Sequence, residues 1–101
     1  DYDLLITPTL AVPPFPLYTQ GPEIVDDRMV PSTAWLGFCF PINLTGQPAA
    51  SVPAGFTVDG LPVGLQIVGR HLADADVLRA SAAFEAAAPW AAHWPDLPTR
   101  A

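Results

Sequence analysis

The sequence has 101 residues, a formal net charge of −6 and 50% hydrophobic residues, which is enough apolar material for the core of one small domain. Its four basic residues are scattered. The sequence therefore offers no cationic patch for nucleic acid or an anionic membrane surface, and no apolar run approaches the ~20 residues of a membrane-spanning helix. A lone Cys39 argues against a disulfide framework and is consistent with a reducing compartment, so we expect a cytoplasmic protein.

The first third of the chain predicts one strand and one long connection. Leu4 to Ile6 reads as a short buried strand that stops at Pro8. From Pro8 to Pro31 prolines recur without any helical or alternating period. So long a connection is either a solvated proline-rich loop or a wall over a pocket that other chain completes.

A helix is predicted next, over Ala34 to Phe40, with Ser32 or Thr33 as the capping residue and Pro41 as the stop. Both sides of this helix are apolar, so we expect it to be enclosed by protein or by protein plus ligand. Helical spacing places one group of residues on a common side. These are Thr33, Leu36, Gly37 and Phe40.

Two neighbouring strands and a closing helix follow. Ala49 to Val52 and Val63 to Val68 predict buried strands joined through a turn at Asp59 and Gly60. The second strand reads as central, and Gln66 brings the one polar side chain to it.

The closing helix is predicted from Ala75 to about Ala88, with Asp74 as its N-cap and Pro89 as its end. Asp76 can pair with Arg79, three residues further on.

Three motifs in a fixed order carry a family resemblance. They are Asn-Leu-Thr-Gly-Gln-Pro-Ala from Asn43, Ser-Val-Pro-Ala-Gly from Ser51, and Gly-Leu-Pro-Val-Gly-Leu-Gln-Ile-Val-Gly from Gly60. This order resembles the C-terminal part of the amidase signature family of amide hydrolases. The likeness extends upstream to the segment Asp-Leu-Leu-Ile-Thr-Pro-Thr and downstream through the closing helix to Trp90 and its neighbours.

The resemblance implies an α/β fold, namely the C-terminal part of a mixed β-sheet flanked by helices, incomplete on its own. It covers residues 1–101 with no internal domain boundary. We expect the chain to be a piece of a longer polypeptide whose missing N-terminal part is its first partner. A small-molecule amide would be the substrate, no cofactor is expected, and the resemblance leaves a homo-oligomer open.

No catalytic residue is assigned within this chain. The family hydrolyses amides through an acyl-serine intermediate with a Ser, cis-Ser, Lys triad, and no position here matches the triad; the four basic residues are all arginines. We expect Ser51 to be a small hydrogen-bonded core residue and Cys39 to be an inert thiol. His71 and His93 lack metal-ligand spacing, so no metal site is predicted. The segment alone should be inactive.

The resemblance implies a substrate-binding role for part of the chain. In the family, the helix before the Asn of the first motif borders the acyl side of the cleft, and relatives that act on glutaminyl-type substrates carry an acidic residue near it. Here this stretch is apolar, which favours an aliphatic or aromatic acyl group. We predict Thr33, Leu36, Gly37 and Phe40 as substrate-binding residues. The alternatives are an amidotransferase A subunit that releases ammonia from glutamine, or a noncatalytic binding module or orphan fragment.

Overall fold

A three-stranded antiparallel sheet organises the computed structural model, which describes residues 2–96. Its strands are β1 (Leu5–Pro8), β4 (Ala49–Phe56) and β5 (Pro62–Val68), in the order β1-β5-β4. A separate hairpin contains β2 (Ile24–Val25) and β3 (Arg28–Met29). The helices are α1 (Phe40–Thr45), α2 (Asp74–Ala87) and two 3-10 turns at Ala34–Leu36 and Ala91–His93. The predicted α/β class is confirmed, with β5 central as expected.

The β4–β5 hairpin is confirmed, and β4 is longer than predicted. The turn closes through Gly60, whose N–H bonds to the Thr57 carbonyl at 2.9 Å. Gly60 has φ 82°, which a side-chain-free residue adopts readily. β4 continues past Pro53, where the register shifts before Gly55. Among the described residues β4 is an edge strand, and an edge tolerates a proline because no ladder hydrogen bond is lost there.

β1 pairs with the other edge of β5, with Thr7 opposite Gln66. The predicted strand at Leu4 to Ile6 is thus shifted toward Pro8. Its predicted burial is wrong in this structure, since Leu5 and Ile6 are 53% and 50% exposed. The reason is that β1 lies at an edge of the sheet within the described residues, with its side chains only partly covered.

α2 begins one residue earlier than expected, with Ala73 rather than Asp74 in the cap position. The predicted ion pair between Asp76 and Arg79 is present on its exposed side. α2 packs on β4 and β5. Its buried residue Val77 lies so close to Gly69 that a Cβ on the glycine would be 2.7 Å from the Val77 methyl Cγ2. This close approach explains the glycine at the end of β5.

The single helix predicted from Ala34 to Phe40 is wrong. The stretch forms the 3-10 turn, then an irregular turn, and α1 starts only at Phe40. Thr33 makes no side-chain capping bond. Pro41 does not end a helix but lies in the first turn of α1, where its missing N–H would have no helical partner anyway. α1 ends at Gly46, in the left-handed region with φ 68°.

The chain leaves an unusual amount of its surface exposed. Its accessible surface is 7970 Å² at a mass of 10.7 kDa, whereas a folded monomer of that mass exposes about 5,500 Å². The radius of gyration is 15.7 Å, against about 12.7 Å for a compact domain of this length. Few hydrophobic residues between positions 2 and 96 are buried. They are Val52, Ile67, Val68 and Val77.

Candidate functional site

The four predicted substrate-binding residues lie in one continuous stretch but not on one helical face. Thr33 precedes the 3-10 turn, Leu36 ends it, Gly37 follows it, and Phe40 opens α1. Leu36 is half-buried and Phe40 is 47% exposed. We call residues 33–40 the wall segment. The helical-face argument for it is wrong, because the backbone turns between Leu36 and Phe40, and the role in substrate binding stays a prediction.

The proline-rich connection holds the wall segment from one side. The Trp35 indole Nε1 donates to the Gln20 carbonyl at 2.8 Å, and the Phe15 ring meets the indole edge-on with centroids 5.2 Å apart. Gly21 lies directly against the same indole, and a Cβ there would collide with it. The Ala11 N–H also donates to the Trp35 carbonyl at 3.1 Å. These contacts anchor the connection to the wall segment, while the side chains of Leu17 and Tyr18 between the anchors remain exposed.

The sheet holds the wall segment from the other side, through Gln66. This residue is 6% exposed and donates from Nε2 to the Thr7 hydroxyl at 2.9 Å and to the Phe38 carbonyl at 3.0 Å. The Cys39 thiol donates to the Thr9 carbonyl at 3.2 Å. The sequence singled out Gln66 as the polar residue of β5, but its partners could not be read from it.

A cleft of about 510 Å³ lies where the proline-rich connection leaves β1. It is bordered by the start of that connection and by the open part of the β4–β5 hairpin. Its lining residues are Thr9, Leu10, Ala11, Val12, Pro13, Pro14, Ser51, Val52, Pro53, Thr57, Pro62, Val63 and Gly64. The first residues of the connection thus form the wall of a pocket, while the four predicted substrate-binding residues do not line it.

Two hydroxyls face each other in this cleft. Thr9 Oγ1 and Ser51 Oγ are 2.7 Å apart, and a Cβ built on Gly64 would lie 2.8 Å from both. Ser51 is hydrogen-bonded as expected, but it is exposed rather than part of the core. The sequence signal for this pair is the Thr-Pro-Thr segment in which β1 ends, whose second threonine, Thr9, had no assigned role.

The described residues contain no machinery for nucleophilic catalysis. Thr9 and Ser51 bond to each other and not to a base. Within residues 2–96 no three His, Cys, Asp or Glu residues are grouped to hold a metal ion. His93 rests against the Phe56 ring with centroids 5.6 Å apart. The arrangement can present apolar surface and two hydroxyls to a neighbour, and it offers no group that activates them.

None of the helices between residues 2 and 96 is long and apolar enough to cross a bilayer.

Comparison with known proteins places these features in a family. The family model described as Amidase matches residues 1–78, and the chain belongs to the amidase signature family. The chain is 50% identical over 93 residues to an acylamidase from Rhodococcus erythropolis, which covers 90% of this chain and 19% of that protein. It is 46% identical over 88 residues to the A subunit of glutamyl-tRNA(Gln) amidotransferase from Lacticaseibacillus casei, covering 85% of this chain and 16% of that protein.

Solved structures give the same family. A bacterial aryl acylamidase of the amidase signature enzymes superposes with a TM-score of 0.82 at 43% identity, over 91% of this chain and 19% of the other. A 6-aminohexanoate cyclic dimer hydrolase superposes with a TM-score of 0.81 at 33% identity, over 97% of this chain and 22% of the other. The chain thus spans about a fifth of the length of these relatives, with 16% and 22% as the extremes.

Proposed function

We propose that this chain is part of an amidase that hydrolyses carboxylic amides through an acyl-serine intermediate. The Ser, cis-Ser, Lys triad would be carried by polypeptide outside these residues. The 101 residues contain no lysine, and between residues 2 and 96 the paired hydroxyls of Thr9 and Ser51 bond to each other rather than to a base. The observation that carries the proposal is the 50% identity to an acylamidase over 93 residues.

The wall segment would form the apolar side of the acyl pocket. Leu36 and Phe40 supply hydrocarbon surface, and no acidic residue occurs from Val30 to Thr45. A buried ammonium group without a partner is costly, so such a wall disfavours an amino-acid acyl group and favours an aliphatic or aromatic one. Thr33 and Gly37 would border the same acyl group.

The first partner would be the remainder of the amidase polypeptide. The surface exposed beyond that of a folded monomer is about 2,500 Å², which is the size of a permanent protein interface. Leu5 and Ile6 on the open edge of β1 and Phe56 at the end of β4 are each at least half exposed. Such strands are stable when another strand or a helix covers them.

We also propose a cytoplasmic location, which the free thiol of Cys39 supports.

A chimaeric enzyme tests this function. It is the Rhodococcus erythropolis acylamidase with its matching segment replaced by this chain, and we call it the acylamidase chimaera. We expect a folded enzyme that hydrolyses anilides of apolar acids. A folded chimaera without amide hydrolysis, beside an active parent enzyme, would refute the proposal.

The second candidate is an amidotransferase A subunit with glutaminase activity. The 46% identity to such a protein favours it, and the apolar wall segment speaks against it. Glutaminase assay of the acylamidase chimaera separates the two, since release of ammonia from glutamine in preference to an anilide would favour the amidotransferase. A noncatalytic module is the third candidate, and it predicts that the chimaera binds amides without turnover.

A further inference from the structure

We propose that Gln66 is a positioning residue for the acyl pocket, fixing the wall segment to the sheet through one peptide group. The proposal deepens the proposed function and rests on it. Gln66 is the single buried polar residue in the part of the chain that the structure describes. It lies on the central strand, whose neighbours on both sides hold it in place.

Both hydrogens of its amide nitrogen are used, on two different elements. One goes to the Thr7 hydroxyl on β1 and the other to the Phe38 carbonyl in the wall segment. A side-chain amide nitrogen has two hydrogens, so the donor is saturated and the amide plane is fixed. A buried network that is satisfied in this way selects one geometry over others.

The Phe38 carbonyl belongs to the peptide group that Phe38 shares with Cys39. The N–H of the same peptide group donates to the Leu36 carbonyl at 2.9 Å. A peptide group is planar, so a hydrogen bond to its oxygen also sets the direction of its N–H. Gln66 thereby fixes the backbone turn between Leu36 and Phe40, and this turn sets the direction of both side chains.

The remaining links to the wall segment are weaker or lie further away. The Cys39 thiol is a poor donor to the Thr9 carbonyl, and the bonds with Ala11 and Gln20 hold only Trp35. All three tie the wall segment to the proline-rich connection, whose Thr9 N–H is bound in turn to the Gly64 carbonyl of β5 at 3.0 Å, whereas Gln66 links β5 to the wall segment directly. Loss of the Gln66 amide should therefore loosen the peptide after Phe38 while leaving the strand pairing in place.

Gln47 provides a matched control. Its Nε2 also donates to a backbone carbonyl, that of Gly69 at 2.9 Å, and it is also partly buried. It ties the start of β4 to the end of β5 and makes no bond to the wall segment. Gln66→Met and Gln47→Met thus remove the same chemical group from two places, the middle of β5 and the segment just before β4.

The test uses the acylamidase chimaera and two substrates, an anilide of a long aliphatic acid and acetanilide. Gln66→Met is expected to lower the ratio of kcat/KM for the long over the short substrate about tenfold, mainly through KM of the long one. Gln47→Met is expected to leave this ratio within about twofold. An equal change in both variants, or an equal loss on both substrates for Gln66→Met, would overturn the proposal.

Amide hydrogen exchange supplies the second readout and separates the two proposals. Gln66→Met should lower the protection of the Cys39 N–H about tenfold, with the β4–β5 amides unchanged. Hydrogen exchange can be measured even in a folded chimaera that hydrolyses no amide. Such a chimaera would refute the proposed function but not the positioning role of Gln66. If Gln66→Met does not fold, Gln66→Glu keeps the side-chain shape and, when ionised, cannot donate. Unchanged Cys39 protection in the folded variant would overturn the positioning role.

Discussion

The chain expressed by itself should not fold cooperatively. Under the proposed function the rest of the amidase polypeptide covers the exposed strands of the sheet, and expression of residues 1–101 alone removes that cover. Among residues 2–96, the buried hydrophobic core consists of Val52, Ile67, Val68 and Val77. A three-stranded sheet needs an apolar face that is covered to be stable in water, and among the described residues α2 is the helix that packs extensively on this sheet.

The stabilisation that the isolated chain lacks can be estimated from its surface area. The accessible surface of 7970 Å² exceeds that of a folded monomer of this mass by about 2,500 Å². About 55% of protein surface is apolar, which gives roughly 1,400 Å². At ~25 cal/mol per Å² this corresponds to about 35 kcal/mol of burial that the isolated chain forgoes. This area-based figure is an upper bound, but a domain is stable by only about 5–15 kcal/mol, so even a part of the missing burial is enough to leave the isolated chain unfolded.

Thermal unfolding followed by circular dichroism, with an amide NMR spectrum, provides the assay. We expect a broad transition without a defined midpoint and poorly dispersed amide signals. The acylamidase chimaera, in which the same residues have their neighbours, should unfold in a sharp transition. A sharp cooperative melt and dispersed amide signals from the isolated chain would refute the reasoning.

Three further predictions concern single substitutions in the acylamidase chimaera. Leu36→Asp should lower kcat/KM for an apolar acyl anilide by about 10- to 100-fold and for acetanilide much less, because it places a carboxylate where an apolar group would bind. Equal losses on both substrates would contradict the role of the wall segment. Gly64→Val should lower the free energy of unfolding by about 1–3 kcal/mol, measured by denaturant titration, since even a Cβ would lie 2.8 Å from the hydroxyls of Thr9 and Ser51. An unchanged free energy of unfolding would show that there is room for a side chain at position 64. Arg79→Ala should change the stability by less than about 0.5 kcal/mol in the same titration, because its pair with Asp76 is exposed, and a larger loss would mean that Arg79 has another partner.

The centre of the fold was predictable because its signals are local. A β-branched run after Asp-Gly specifies β5 and its turn, and the chain confirms both. The alanine-rich run between Asp74 and Pro89 specifies α2 to within a residue at either end. In each case the breaker residues lie beside the element that they limit, so no distant contact is needed to place it.

The wall segment was mispredicted because a proline has two opposite meanings. Pro41 stops a helix when it lies in the interior and is well tolerated in the first turn. The prediction took the first meaning, and the structure has the second. What decides between them is the packing of Trp35 against Phe15 and Gln20, which are distant in sequence.

The polar contacts of the site were also out of reach of sequence reasoning. Gln66 bonds to Thr7, 59 residues away, and to Phe38, 28 residues away. Thr9 meets Ser51 across 42 residues. These pairs depend on β1 adding to the far edge of β5, and no local pattern specifies that pairing. The family resemblance indicated which segments matter, and the structure shows how they are joined.

The most direct measurement is a complementation assay on the Rhodococcus erythropolis acylamidase. The enzyme without its matching segment and this 101-residue chain are produced separately and together, and anilide hydrolysis is measured in each case. We predict no turnover from either part alone and turnover from the two co-expressed. Hydrolysis by the 101-residue chain alone, abolished by substitution of one of its own side chains, would contradict the claim that the reaction centre lies in other parts of the polypeptide.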